Sequence, residues 1–206
     1  MPDISLFLVA AVLLTVAPGP DNIQVLMRGM VQGRAAALTA ACGFVSGILV
    51  HTGLAVGGVA LVIRSSPLLF GLLKFVGAGY LLYLGWRTLH HRDLLLPKGV
   101  EGPVDLPAVF RQCVLGNVLN PKVSLFFLSF LPQFVDAKAG HVEMQMLILG
   151  LVFMAQALVI FGAIGWFAAS VGNWLRSSER FGRYLNTAAG LTFVGIGLKL
   201  AMAESR

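Results

Sequence analysis

The chain has 206 residues, of which 57% are hydrophobic and only 12% are charged. Soluble domains carry about 25% charged residues, so this composition excludes an ordinary water-soluble protein and indicates an integral membrane protein. The formal net charge of +6 does not indicate a nucleic-acid partner, because the basic residues lie in short clusters beside apolar stretches. Such clusters orient a protein in a membrane, so the lipid bilayer is the expected partner.

Six apolar segments predict an all-α integral membrane fold with six transmembrane helices. They span about residues 4–27, 36–63, 67–88, 111–132, 144–171 and 184–203. Each can cross roughly 30 Å of hydrocarbon at about 1.5 Å per residue. The first segment has neither a basic start nor a small-residue cleavage motif after it, so we expect a helix there and not a signal peptide.

The first segment is interrupted by the run Ala17-Pro18-Gly19-Pro20-Asp21. Proline has no N–H and clashes with the carbonyl four residues back, so this run should break the helix and free the carbonyls of Leu14 and Val16. An ionisable residue at membrane depth, here Asp21, indicates a functional site. Asp21 is also a candidate for carrying protons. The predicted substrate-binding residues at this break are Pro18, Gly19, Pro20, Asp21 and Asn22.

The fourth segment has a second break, at Asn120-Pro121-Lys122. Pro121 should free the carbonyl of Asn117, and Asn120 stands where a helix N-cap belongs. The helix that restarts there would present free N–H groups and the positive end of its dipole, to which Lys122 adds a full charge. The predicted substrate-binding residues at this break are Asn117, Asn120, Pro121 and Lys122.

Together the two breaks predict a zwitterionic substrate, with its carboxylate near Lys122 and its ammonium near Asp21. Paired broken helices at mid-depth are typical of transport sites. The structural alternative is that the prolines only kink helices and that Asp21 and Lys122 form a salt bridge. Asn117 and Asn120 would then serve as hydrogen-bonding contacts between helices.

Three further polar residues lie at membrane depth. His51 is near the centre of the second segment, and its ordinary pKa of about 6.5 suits proton transfer; the alternative is a buried histidine bonded to a neighbouring carbonyl. Gln156 could touch substrate or serve packing. Lys74 lies about two turns inside the outer end of the third segment, so we expect its long side chain to reach the interface, with a coupling role as the weaker interpretation.

Glycine pairs at four-residue spacing predict close helix packing in the second segment. They are Gly43 with Gly47 and Gly53 with Gly57.

The longest polar stretch divides the chain into two halves. It covers residues 90–106 and predicts a cytoplasmic linker between a first three-helix repeat, residues 1–89, and a second, residues 107–206, within one transmembrane domain. Three spans per half make the repeats inverted, as in many secondary transporters. In support, Gly77-Ala78-Gly79 and Leu84-Gly85-Trp86-Arg87 match Ala189-Gly190-Leu191 and Ile196-Gly197-Leu198-Lys199 at one constant offset.

The basic residues are distributed unequally between the two sides of the membrane. By the positive-inside rule the richer side is cytoplasmic, so both termini should lie outside. The connections on the richer side carry Arg28, Arg34, Arg87, Arg92, Lys98, Arg111, Arg176, Arg180 and Arg183, and the other side carries Arg64, Lys138 and Arg206.

These motifs resemble the LysE/RhtB family of amino-acid exporters. The resemblance rests on the runs 17–21, 73–77 and 116–122 and on Pro132-Gln133-Phe134, and it covers nearly the whole chain. It implies efflux of amino acids such as lysine, homoserine, threonine or leucine across the bacterial inner membrane, driven by protons. Many members carry Asn after Pro-Gly-Pro, whereas Asp21 is similar to the homoserine/threonine branch.

We therefore predict a secondary exporter of amino acids or related metabolites that works by alternating access and proton antiport. A uniporter or channel for small zwitterions is the alternative within transport. A membrane enzyme would need a clustered nucleophile, base or metal site, which the sequence lacks; we predict no catalytic residues, metal or cofactor. A scaffold subunit would not require the paired breaks, and the sequence leaves a homo-oligomer open.

Overall fold

The computed structural model describes residues 4–17, 19–59, 67–90, 104–177 and 179–202. Pro18 and most of the predicted linker, residues 91–103, lie outside the described residues. Within the described ranges all regular structure is helical, as predicted for an all-α fold.

Eight α-helices occur in the described ranges, and two of them continue into irregular turns. Residues Ala55–Val59 extend α3 as a π-helical turn, while Phe126–Phe130 and Leu131–Phe134 extend α6 as a π-helical turn and a 3₁₀ turn. The helices are α1 Ile4–Val16, α2 Pro20–Gln32, α3 Arg34–Leu54, α4 Pro67–His90, α5 Leu106–Val118, α6 Pro121–Leu125, α7 Val142–Ser177 and α8 Glu179–Met202.

Two described segments are long and apolar enough to cross a membrane alone, Arg34–Gly58 with 25 residues and Val142–Ala168 with 27. Two bent pairs pass the same test only together: α1 with α2, which meet at 55°, and α5 with Pro121–Phe134, which meet at 45°. The described residues thus contain two candidate spans, or up to four if each bent pair is one span. Six spans stay a prediction.

Close packing of α3 on α5 confirms one of the two predicted glycine pairs. A Cβ atom at Gly43 would lie 2.7 Å from the Phe110 carbonyl oxygen, and one at Gly47 would lie 2.7 Å from Asn117 Cβ. Gly53 and Gly57 have nothing within 4 Å of the same position, so the second pair packs no neighbouring helix among the described residues. The confirmed pair brings Asn117, beside the second break, against α3.

The prediction that Lys74 reaches the membrane interface is wrong. Its side chain is only 3% exposed, and its ammonium lies 4.7 Å from the centroid of the Phe75 ring. Gly77, almost one turn further along α4, packs tightly against the Ser129 side chain. The face of α4 that carries Lys74 therefore points into the protein, because packing and not depth determines the rotation of the helix.

Candidate functional site between the two helix breaks

The first break separates α1 from α2. Gly19 is the N-cap of α2 and makes no side-chain cap, and Pro20 occupies the first turn, where its missing N–H costs nothing. Two carbonyls at the end of α1 accept bonds from side chains: Thr15 O from Asn22 Nδ2 at 2.6 Å, and Ala17 O from Lys122 Nζ at 2.8 Å. The break thus presents backbone acceptors, which are the carbonyls one residue beyond the predicted Leu14 and Val16.

The second break separates α5 from α6. Asn120 is the N-cap of α6, since its Oδ1 accepts from the Lys122 backbone N–H at 3.0 Å. The Asn117 carbonyl, which would have met an N–H of residue 121 in an unbroken helix, accepts from the Asn120 N–H at 2.9 Å and lies 3.0 Å from His51 Nε2. Because a carbonyl only accepts, the His51 ring donates to it.

The carboxylate of Asp21 is bound by the second break. Its Oδ2 accepts from Asn117 Nδ2 and its Oδ1 from Asn120 Nδ2, each at 2.8 Å. The residue is 5% exposed, so these charge-assisted bonds replace most of its water.

The ammonium of Lys122 is bound by the first break. It is 7% exposed, donates to Ala17 O and lies 5.1 Å from the centroid of the Phe193 ring. Among the described residues it makes no direct ion pair with Asp21, so the salt bridge of the structural alternative does not form. Each charge instead binds neutral groups across the cavity.

A small cavity lies between the breaks. One part of its lining is polar and the other is apolar. The polar lining consists of Thr15, Gly19, Asp21, Asn22, Asn117, Asn120 and Lys122, and the apolar lining consists of Leu14, Ile48, Val123, Phe153 and Phe161.

The family model for LysE-type translocators matches residues 12–204 of this chain. The chain belongs to the LysE-type translocator family. It is 32% identical to the leucine efflux proteins of Salmonella choleraesuis and Salmonella typhimurium over 97% of its own length and 94% of theirs. It is 31% identical to an uncharacterized membrane protein of Pseudomonas aeruginosa, over 98% of its own length and 95% of that protein's. No solved structure gave a significant match.

Membership of this family confirms the predicted resemblance, and it makes the protein a membrane transporter and not an enzyme.

Six of the nine predicted substrate-binding residues of this translocator line the cavity. Pro20 and Pro121 do not line it and are exposed, and Pro18 lies outside the described residues. Pro20 and Pro121 each begin the helix that follows a break. The residues that reach the cavity are Gly19, Asp21, Asn22, Asn117, Asn120 and Lys122.

The other predicted polar residues of the translocator lie behind the cavity or away from it. His51 is 2% exposed and supports the Asn117 carbonyl, which agrees with the alternative of a buried, carbonyl-bonded histidine. Gln156 donates to Thr15 Oγ1 at 2.9 Å and to Phe153 O at 3.0 Å, so it holds a lining residue without lining the cavity itself. Lys74 is not among the lining residues.

Sequence reasoning missed Thr15 and the five apolar lining residues. Thr15 could have been found, because it is a polar residue in the last turn before a break. The apolar residues carry no local signal, since leucine, isoleucine, valine and phenylalanine are common throughout membrane helices.

Proposed function

We propose that this protein is a secondary active exporter of amino acids or closely related small metabolites, driven by proton antiport and working by alternating access. The observation that carries the proposal is the reciprocal contact between the breaks. Asp21 and Lys122 place one buried negative and one buried positive charge on the same cavity without pairing with each other. A zwitterion needs such an arrangement, because its ammonium and its carboxylate each require an opposite charge.

Both charged groups retain capacity for a ligand. A carboxylate has about four lone-pair sites, and the two asparagine donors of Asp21 use two of them. The lysine ammonium has three donors, one of which goes to Ala17 O.

The same contacts supply a reason for alternating access. The bonds of Asp21 and Lys122 join the first break to the second, so a substrate that replaces them changes what holds the breaks together. A ligand shifts a conformational equilibrium only through contacts that differ between the two states. Substrate binding and release at this cavity would provide that difference.

Asp21 and His51 are the proposed proton carriers. A proton and a substrate ammonium would compete for the Asp21 carboxylate, so uptake of a proton would favour release of the amino acid. His51 is one step removed, because it bonds to the carbonyl of Asn117 while the side chain of Asn117 bonds to Asp21. Competition of this kind is the simplest coupling for an antiporter.

The proposal includes six spans in two inverted halves, residues 1–89 and 107–206, joined by the linker 90–106. Contacts between α4 and α8 support it. A Cβ atom at Gly85 would lie 2.9 Å from the Gly190 carbonyl oxygen, and one at Gly197 would lie 3.1 Å from the Ala78 carbonyl oxygen. Gly197 follows Gly85, and Gly190 follows Ala78, at the same sequence offset, as expected for two halves related by a twofold axis.

The relatives named as leucine efflux proteins support an amino-acid substrate and efflux as the direction. Location in the bacterial inner membrane, with both termini outside, completes the proposal, since the positive-inside rule places the arginine-rich connections in the cytoplasm.

Efflux from proteoliposomes tests the function. Purified protein is reconstituted with a labelled amino acid inside, and its release is followed with and without an imposed pH gradient. We expect release that speeds up when protons can flow inward, and no such release from liposomes that contain Lys122→Ala. Release that ignores the pH gradient would instead indicate a uniporter or channel, and no release of any amino acid would refute the function.

A further inference from the structure

The apolar part of the cavity lining, here called the apolar wall, consists of Leu14, Ile48, Val123, Phe153 and Phe161. The five side chains come from four helices, α1, α3, α6 and α7, and none is more than 6% exposed. None of them carries a polar side-chain atom. Whatever occupies this part of the cavity therefore gains no hydrogen bond from the side chains of the wall.

The two aromatic rings of the wall pack against other buried aromatic rings. Phe161 lies 6.1 Å from Phe44 between ring centroids, and Phe153 lies 5.3 Å from Phe126 and 5.2 Å from Phe127, the last pair edge to face. Such tilted and edge-to-face contacts are the favoured geometries of aromatic pairs. The wall is therefore preformed, and its rings set a boundary for any group that enters.

In the proposed function, each charge of the cavity lining already has a partner on the substrate. Among the described lining residues only Asp21 and Lys122 carry full charges, and they match the ammonium and carboxylate shared by all amino acids. A charged side chain on the substrate would then lie against the wall without an opposite charge. An uncompensated buried charge carries a heavy desolvation penalty.

We infer that the substrate is an amino acid with an uncharged, apolar side chain, and that Phe153 and Phe161 limit the size of that side chain. This inference rests on the proposed function and narrows it. It also departs from a homoserine- or threonine-like substrate, because a substrate hydroxyl would be desolvated against the wall.

A panel of labelled amino acids in proteoliposomes tests this inference and the proposed exporter function separately. Leucine, isoleucine and methionine are compared at equal internal concentration with homoserine, threonine, lysine and glutamate. We expect the apolar group to leave at least about tenfold faster, the lower end of what one misfitted group costs in a pocket. Lysine or homoserine leaving as fast as leucine would overturn the inference but keep the exporter, whereas no release of any member would refute the exporter itself.

A size variant tests the role of the rings. Phe161→Ala should raise the ratio of phenylalanine to leucine efflux by about tenfold, because it removes part of the boundary. Phe161→Leu, which keeps more of the packing, should give the same change with smaller amplitude. Phe130→Ala is the matched control, since Phe130 is equally buried but does not line the cavity. An unchanged ratio in both Phe161 variants, or an equal shift in Phe130→Ala, would overturn the assignment of Phe161 as a specificity residue.

Discussion

The two helix breaks are built alike but supply opposite chemistry. Each helix restarts with proline in its first turn, followed at once by a charged residue, in Gly19-Pro20-Asp21 and in Asn120-Pro121-Lys122. The first break offers backbone carbonyls and has no side-chain cap. The second offers two asparagine amides and a side-chain cap. Each break thus provides what the charge of the other requires: acceptors for an ammonium and donors for a carboxylate.

This difference explains why the charges of Asp21 and Lys122 can both be buried without a direct ion pair. A direct salt bridge would satisfy both groups and leave little to offer a ligand. Neutral partners stabilise each charge through hydrogen bonds while the charge itself stays available to an opposite one. In the proposed function, a zwitterion would bind here by exchanging these weaker contacts for stronger ones.

The largest effect should follow from removing either charge. Asp21→Ala and Lys122→Ala should each lower efflux by about 100-fold or more, because hydrogen bonds to charged groups contribute roughly 1.5–3 kcal/mol each and the substrate charge loses its partner as well. Efflux from proteoliposomes measures the loss. Size-exclusion profiles in detergent check that each variant is still inserted and folded.

The double variant Asp21→Ala/Lys122→Ala sharpens that result. It leaves no uncompensated buried charge, so its thermal stability in detergent should exceed that of the less stable single variant, while its efflux stays abolished. Efflux at the wild-type rate in the double variant would show that the two charges bind each other's break and nothing else.

The next effect isolates the donors of the second break. Asn120→Ala removes the cap of α6 and one donor to Asp21, while Asn120→Ser keeps a capping oxygen and removes only the donor. We expect both to raise the KM for efflux about tenfold, and only Asn120→Ala to lose about 1 kcal/mol of stability through the cap. If Asn120→Ser transports with a wild-type KM, the amide of Asn120 does not prepare Asp21 for substrate.

A smaller effect should come from crowding the first break. A Cβ atom at Gly19 would lie 3.1 Å from Lys122 Nζ, and the extended backbone of Gly19 accepts any residue. Gly19→Ala should therefore move Lys122 off the Ala17 carbonyl and lower efflux about fivefold, the equivalent of about 1 kcal/mol. Gly53→Ala is the matched control, because nothing lies within 4 Å of its Cβ position. Equal losses of efflux in the two variants would show that the effect of Gly19→Ala does not come from a displaced Lys122.

The features that sequence predicted well are those with a local cause. Proline breaks a helix wherever it lies in the interior, so both breaks could be placed from the sequence alone. The cap at Asn120 follows from its position before Pro121, and the structure confirms it. The family resemblance rested on the same short runs, and the family match confirms it.

The features that sequence missed depend on contacts between distant segments. Nothing local indicates that Asp21 would bond to Asn117 and Asn120, nearly a hundred residues away, in preference to Lys122. Lys74 was predicted to lie on the wrong face of α4, because the rotation of α4 depends on its packing. Nothing in the sequence distinguishes Phe153 and Phe161 from the other phenylalanines, because their role depends on their position at the cavity.

The smallest effect should come from Gln156, which donates a hydrogen bond to Thr15 beside the first break. Gln156→Met removes the donor to Thr15 Oγ1, but it also removes Gln156 Oε1, a buried oxygen without a hydrogen-bond partner in the described part of the chain. These two losses act in opposite directions on stability, because a hydrogen bond contributes about 1 kcal/mol and a buried unsatisfied oxygen costs a similar amount. We therefore expect an unchanged melting temperature and efflux lowered about two- to threefold, since Thr15 lines the cavity and keeps its bond from Asn22.

Thr15→Val, with the same contact removed from the other side, is the control and should lower efflux to a similar extent. A loss in Gln156→Met as large as that of Lys122→Ala would mean that Gln156 touches the substrate, and the cavity would then extend further into α7 than its lining residues indicate.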